Sequence, residues 1–439
     1  MILEDYLGRN AGLYPGKTAV VINGCSYTYG QLKSLVDDRV RSIADSKHQR
    51  FVCLKAVPSI DFIVDYFAYH LKGIAVVPLA KDIPQALTDG ISEELSRCEI
   101  PEGTADILYT TGTTGKSKGV MISHRTIMAD AENLTQGQGF THDTVFVING
   151  PLNHIGSLSK VYPVILNGGT MIIVDGLKDL DAFFRCFEYP SDKMATFLVP
   201  ASIRILIQFA SDRIASLSSK MDFMETGAAA ISQSDMEALC RLLPKSRLYN
   251  TYASTETGII TTYDFNCGKC IAGCLGRPMV NSGLFITEEG KIACTGDTLM
   301  TGYVGDPERT SAILRDGVIY TSDFGEIDSD GMLHLKGRED DVINVGGFKV
   351  APLEVEDAAM GFPGISDCIC IPVQHPLTGN ALKLLAVMVP GTGLDKKALA
   401  LFLGQRLEPH KVPMLYEQVE SVRHTFNGKP DRKFYQKKV

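Results

Sequence analysis

DILYTTGTTGKSKGVMISHR, Asp106 to Arg125, is the stretch that decides how the rest of the chain is read. Asp106 to Thr110 reads as a short buried strand and Gly119 to Ser123 as a second. The nine residues between, Thr110 to Lys118 with the first strand's last residue included, hold four threonines, two glycines, two lysines and a serine. That composition suits an anion. Glycines let backbone N–H groups come close to phosphate oxygens, hydroxyls donate to them, and lysines offset their charge. Gly115-Lys116-Ser117 looks like the end of a Walker A loop, but that motif needs a glycine at position 110, where the chain has Thr. A Gly/Thr-rich loop by itself can also be a solvated turn, so its meaning depends on partners downstream.

The rest of the chain limits what those partners serve. At 439 residues it exceeds one ordinary core, and with 45% hydrophobic and 21% charged residues it reads as globular. A net charge of −8 argues against a general nucleic-acid binder. Residues 401 to 439 are locally basic, with eight Lys/Arg against four Asp/Glu, which suits a small polyanion or a solvated tail equally. Acids follow Met1 where a signal peptide would be basic, and the most apolar run, Ile60 to Ala80, is broken by Asp61, Asp65 and Lys72. No membrane span is therefore expected, and eleven cysteines outside a small secreted scaffold point to reduced thiols in the cytoplasm. Cys267, Cys270 and Cys274 lack a clean second pair for zinc.

Patterning gives an α/β chain. Residues 1–105 contain βαβ-like material, including strands 51–57 and 73–79 around a helix over 60–71. Residues 106–252 alternate strands and helices, which implies a parallel sheet covered on both faces, with ligands at the carboxyl ends of its strands. Residues 253–340 turn to short strands and Asp-Gly turns at 316–317 and 330–331, a small β-rich unit. Residues 341–439 read as a small α+β module with helices over 352–360 and 395–407.

A series of motifs in order makes the chain resemble the adenylate-forming superfamily, which includes acyl-CoA and aryl-CoA synthetases, peptide-synthetase adenylation domains and beetle luciferases. The resemblance covers about residues 105–435 and is closest in pattern to the acyl-CoA synthetases. It makes Thr110, Thr111, Gly112, Thr113, Thr114, Gly115 and Lys118 the phosphate loop of an ATP site. Pro151 to Gly156 resembles the segment that shapes the acyl pocket, with His154 the catalytic candidate. Thr226 to Ala230 resembles the loop that walls the adenine, giving Gly227 and Ala228 as nucleotide contacts. Asn250 to Glu256 resembles the adenine and magnesium motif: Tyr252 packs on the base beside Asn250, Thr255 is a catalytic candidate, and Glu256 holds Mg2+. Asp323 in Tyr320 to Asp323 resembles the aspartate that accepts from the ribose hydroxyls, and Arg338 in Gly337 to Asn344 also reaches the ribose. Asp340 falls at the family's hinge position, which divides a large N-terminal domain, 1–340, from a mobile C-terminal domain, 341–439. Measured against the family, the first subdomain, 1–105, is short, as though trimmed between Pro78 and Gly103.

Asn427-Gly428-Lys429-Pro430-Asp431-Arg432 resembles the C-terminal motif whose lysine bridges the substrate carboxylate and the α-phosphate, so Lys429 is the expected catalytic lysine. The implied reaction is ATP-dependent activation of a small carboxylic acid to acyl-AMP, followed by transfer to the thiol of coenzyme A. The alternative acceptor is the phosphopantetheine of a carrier protein. No aspartate lies between Leu152 and Ser157 to hold an ammonium, which favours an acid without an α-amino group. Asn344 stands where luciferases carry a lysine, which ranks light-producing oxidation low. A dead nucleotide sensor is the reading that the short first subdomain encourages.

Overall fold

The computed structural model describes residues 1–44, 49–111, 117–376, 378–424 and 430–436. Five parallel strands form the centre of the larger sheet, in the spatial order Thr170–Ile173, Val145–Ile148, Met194–Phe197, Met221–Gly227 and Arg247–Ser254. All five are largely buried on both faces, as expected where helices cover a parallel sheet, and the first three are mostly apolar. The helices Pro200–Ser216 and Gln233–Leu242 are two of the crossovers. Thr18–Ile22 adds in parallel beside Thr170–Ile173 and hairpins back to Cys25–Thr28.

Beyond Arg247–Ser254 the sheet continues antiparallel through Gly258–Asp264 and Cys274–Pro278 into Leu333–Arg338, Val318–Ile327, Lys291–Gly296 and Ser282–Ile286. The β-rich stretch read over 253–340 is thus joined by pairing to the parallel sheet. Its Asp316-Gly317 turn carries two positive φ angles, 51° and 74°, which explains the dipeptide.

The strands that flank the phosphate loop do not belong to this sheet. Thr104–Thr111 and Ser117–Ser123 pair with each other in a second, five-stranded sheet that also holds Phe51–Lys55, Ala75–Leu79 and the short Gly302–Tyr303. Grouping 106–252 into one sheet with the phosphate loop is corrected here. The polypeptide changes sheets after Ser123, whose hydroxyl caps the helix His124–Gln138 by accepting from Thr126 N at 3.1 Å. That helix, Leu3–Leu13, Ile60–Leu71 and Val161–Asn167 contribute to a continuous core in which helix residues such as Tyr66, Phe67 and Tyr162 join Phe146 of the larger sheet and Val120 of the smaller. The stretch between Pro78 and Gly103 carries a helix of its own, Gln85–Ser96.

The C-terminal module has the three-stranded sheet Ile365–His375, Gly379–Met388 and Leu415–Gln418, the hairpin Ile343–Val345/Phe348–Val350, and the helices Pro352–Met360 and Lys396–Gly404. Its apolar core is separate from that of the larger body. Arg204 joins the two, pairing with Asp235 at 3.0 Å and with Asp367 of the module. Among the described residues no helix is long and apolar enough to cross a membrane.

Candidate active site

The hairpin sets the two ends of the phosphate loop: Thr110 lies opposite Lys118 and the backbone of Thr111 opposite Ser117. Gly112, Thr113, Thr114 and Gly115 lie outside the described residues. Gly119 has a packing reason, because a Cβ there would come within 2.5 Å of Val304. Its absence lets Gly302–Tyr303 dock as the hairpin's edge partner. Docking brings the Tyr303 ring under Lys118, whose Nζ lies 5.0 Å from the ring centroid. The Tyr303 hydroxyl donates to Glu256 Oε1 at 2.9 Å. Burial, and then the Glu256 carboxylate, push the Tyr303 pKa far up, so this phenol is a donor at any working pH. The sequence reading missed Tyr303. The only signal was a Gly-Tyr pair just before an Asp-Pro helix start.

Glu256 sits in a tight turn between Arg247–Ser254 and Gly258–Asp264. Thr257 N donates to Ser254 Oγ at 3.0 Å and Ser254 N to Thr257 Oγ1 at 3.1 Å, which closes the turn and leaves Thr255 and Glu256 half-buried at its tip. Beneath it, buried Asp130 accepts from Ile259 N at 2.8 Å. Burial pushes the Asp130 pKa up to about 7, against the opposing pull of that hydrogen bond and of Lys160. The pairing register shifts between Tyr252 and Ala253, an irregularity of the kind that re-aims side chains beside a site.

Tyr252, Asp323 and Arg338 converge directly. The Tyr252 hydroxyl donates to Asp323 Oδ2 at 2.7 Å, and Arg338 Nε lies 3.0 Å from Asp323 Oδ1. Asp323 and Arg338 are register partners on antiparallel strands, so the pairing of Val318–Ile327 with Leu333–Arg338 positions both. Asn250 takes another direction: its buried amide donates to Cys274 O at 3.1 Å, tying its strand to Cys274–Pro278, two places away in the sheet. Gly227 faces Thr251 so closely that a Cβ would come within 2.8 Å of the Thr251 carbonyl. Ala228 follows with φ +66°, a left-handed conformation that costs a non-glycine residue about 1–2 kcal/mol. The strain sits on an exposed alanine at the carboxyl end of a parallel strand.

His154 lies half-buried immediately before the helix Ile155–Leu158, and burial holds its pKa below the usual imidazole range. A Cβ on Gly156 would lie 3.4 Å from the Phe197 ring. The buried pair Lys160–Glu225, at 2.7 Å, lies beside that ring, with Lys160 Nζ 5.2 Å from its centroid. Sequence reading passed over this pair, although a lysine inside the run Ser157 to Val164 is a visible anomaly.

Asp340 is exposed in the short helical turn Glu339–Asp341, between Leu333–Arg338 and the hairpin strand Ile343–Val345. Lys429 lies outside the described residues. The chain after it is anchored: Arg432 holds both oxygens of Glu356, at 2.6 and 2.7 Å, and donates to Cys370 O at 3.0 Å. Among the described residues the cysteines form no group that could hold a metal ion.

Two family models match: AMP-binding enzyme over residues 87–304, and AMP-binding enzyme C-terminal domain over 354–429. A feruloyl-CoA synthase of Amycolatopsis is 29% identical over 481 aligned positions, covering 96% of each chain. A 4-coumarate–CoA ligase of Vanilla planifolia is 28% identical, over 79% of this chain and 66% of its own length. Among solved structures, ATP-bound MatB of Rhodopseudomonas palustris has a TM-score of 0.86 at 21% identity, covering 100% of this chain and 99% of its own. The amide bond synthetase McbA of Marinactinospora thermotolerans has 0.86 at 22%, covering 100% of both. The chain belongs to the AMP-binding, adenylate-forming enzyme family, with its affinity to the acyl-CoA synthetases. The resemblance read from its motifs is borne out.

Proposed function

We propose that this protein is an AMP-forming acid–thiol ligase that converts a flat aromatic carboxylic acid into its CoA thioester. A carboxylate oxygen attacks the α-phosphorus of ATP and pyrophosphate leaves; the CoA thiol then attacks the acyl carbonyl and AMP leaves. Both reactants of the first step are anions, so positive charge and in-line positioning are what the protein must supply. The observation that carries the reading is the double convergence at the strand ends: Tyr252, Asp323 and Arg338 on one side, and Lys118, Tyr303 and Glu256 on the other.

In this reading Tyr252 lies against the adenine, with Gly227 and Ala228 walling it and Asn250 bracing the strand beneath. Asp323 and Arg338 take the ribose. Thr110 to Gly115 and Lys118 surround the phosphates, and Thr255 donates to them. Glu256 fits a hard cation, because its carboxylate is presented at a turn tip and steadied by one donor; Mg2+ bound there would neutralise phosphate charge. Lys429 enters with the C-terminal module, turning about Asp340, and His154 borders the acyl group. The flat substrate is supported by Ala253, which stands in the Asn250 to Glu256 motif where the family usually has glycine, and by the acids named in the feruloyl-CoA and 4-coumarate–CoA enzymes. The lack of an acidic residue from Leu152 to Ser157 supports an acid without an α-amino group. Eleven free cysteines fit the reducing cytoplasm, where ATP and CoA are at hand.

The test is pyrophosphate release across a panel of carboxylic acids, followed by CoA or a phosphopantetheinylated carrier as acceptor. Activity with hydroxycinnamic or benzoic acids and consumption of CoA is the expected result. Release with no acid, or transfer to the carrier alone, would remove the reading.

A further inference from the structure

A second polar cluster lies at the foot of the phosphate hairpin, at the end away from the loop. His70, on Ile60–Leu71, is fully enclosed: its Nδ1 lies 2.8 Å from Glu4 Oε1, and its Nε2 lies 3.1 Å from Ala105 O and 3.3 Å from Asp106 Oδ1. Glu4 comes from Leu3–Leu13 and its side chain is likewise inaccessible. Its second oxygen, Oε2, is buried with no hydrogen-bond partner among the described residues. His124 Nδ1 is in the same condition and lies 4.0 Å away, too far for a hydrogen bond. The donor atoms of Glu4, His70 and His124 all lie within 4.8 Å of one another.

An unmade buried hydrogen bond costs about 1–3 kcal/mol per group, so two such atoms facing each other call for something between them. Two buried carboxylates, Glu4 and Asp106, surround one imidazole, which leaves the cluster short of positive charge even when that ring is protonated. A cation satisfies both needs.

We propose that Glu4, His70 and His124 form a site for a late first-row divalent cation of the zinc class, separate from the nucleotide site. Its ligands are Glu4 Oε2, His70 Nδ1 and His124 Nδ1, a nitrogen- and oxygen-donor set that such ions take. Donors about 3.3–3.5 Å apart are what bond lengths near 2.1 Å require in a tetrahedral site, so Glu4 Oε2 and His124 Nδ1, now 4.0 Å apart in a set that lies within 4.8 Å, must draw together by about 0.5–1.5 Å on binding. On binding, the ion displaces the proton on His70 Nδ1 to solvent, and Nε2–H keeps its contacts with Ala105 O and Asp106. That is the carboxylate and carbonyl support usual behind a metal-bound histidine. A cleft of about 340 Å³ lined by Met1, Ile2, His124 and Arg125 lies beside the His124 end of the cluster. The hairpin strand from Asp106 to Thr111 spans about 15–20 Å, which sets this site well away from the phosphate loop. The ion would staple Leu3–Leu13 and Ile60–Leu71 to the start of His124–Gln138.

The test uses the full-length chain stripped with a chelator and titrated with CoCl2. The expected result is a one-to-one complex with visible d–d bands and no thiolate-to-cobalt band, displaced by ZnCl2, with a raised melting temperature. His124→Ala, which alters a side chain 16% exposed, should weaken binding about 100-fold or more. X-ray absorption of the zinc-loaded wild type, which needs no variant, should show nitrogen and oxygen neighbours only. Failure to bind cobalt, sulfur in the first shell, or unchanged binding by His124→Ala would overturn the proposal. Each is distinguishable from failure of the ligase reading, which concerns acid and ATP.

Discussion

The Tyr303 hydroxyl donates to Glu256 Oε1 at 2.9 Å, linking a two-residue edge strand of the smaller sheet to a turn of the larger one. Through this bond the phosphate hairpin and the proposed magnesium carboxylate are held by one ring. Tyr303→Phe removes the donor and keeps the packing. A hydrogen bond to a partly exposed carboxylate contributes about 1–1.5 kcal/mol, so the Mg2+ concentration needed for half-maximal pyrophosphate release should rise about fivefold to tenfold. An unchanged Mg2+ dependence would show that Glu256 needs no such support.

The two half-reactions should separate by domain. Lys429→Ala is expected to lower acyl-AMP formation by at least 100-fold while thiol attack on supplied acyl-AMP proceeds. Asp340→Pro, which stiffens the turn Glu339–Asp341, should have the opposite effect. Losses by both variants in the same half-reaction would sink the proposed rotation.

Arg204 is shared between Asp235 on the larger body and Asp367 on the C-terminal module. Arg204→Ala leaves two partly buried carboxylates near one another without their cation, a change of about 1.5–3 kcal/mol against docking. Cleavage after Glu339 by a glutamate-specific protease should quicken about tenfold or more, and added salt should narrow the difference. Equal cleavage rates would mean that the arginine does not restrain the module.

Asp130 gives a pH dependence with a definite sign. Its pKa rises from 3.8 unfolded to about 7 folded, so the native state binds the extra proton between those values. Stability from this group is full below about pH 4 and is lost as pH climbs through 7. Asp130→Asn keeps an oxygen for Ile259 N and cannot ionise. Its denaturation midpoint should vary less than that of the wild type from pH 4 to 7, with the variant relatively more stable at pH 8 by about 2–4 kcal/mol as an upper bound. Parallel pH profiles would refute the assignment.

Ala253→Gly should widen the strand end and extend activity toward bulkier acids, read as a several-fold gain in kcat/KM for a longer acid relative to a cinnamic one. A variant with the same preference would place the limit of the pocket elsewhere.

What the sequence disclosed followed from local chemistry. Helices 60–71 and 352–360 were legible to the residue because Ser59 caps the first and Pro352 begins the second. The parallel strands showed as short runs between helices, and Tyr252, Asp323 and Arg338, which the structure brings together, could each be read from a motif of its own. Tyr303 was not, since its role arises from a contact between distant segments, with a strand too short to leave a period. Leu3–Leu13 was overlooked too: it buries Leu3, Glu4, Leu7 and Asn10, so its inner face mixes polar with apolar residues and blurs the stripe. Assignment of the hairpin to its own sheet depended on strand partners, which periodicity does not name.

Thr301 N bonds to the Met121 carbonyl at 2.9 Å across a separation of 180 positions, at the point where the smaller sheet gains its last strand. A nascent chain must therefore emerge from the ribosome well past Tyr303 before that sheet has a covered margin. Until then Ser117–Ser123 presents bare N–H and C=O groups to its neighbours, a surface on which other unfinished copies can pair. Fragments that stop short of Gly302 should aggregate more than those ending after Arg338, in which the strands of both sheets have their partners.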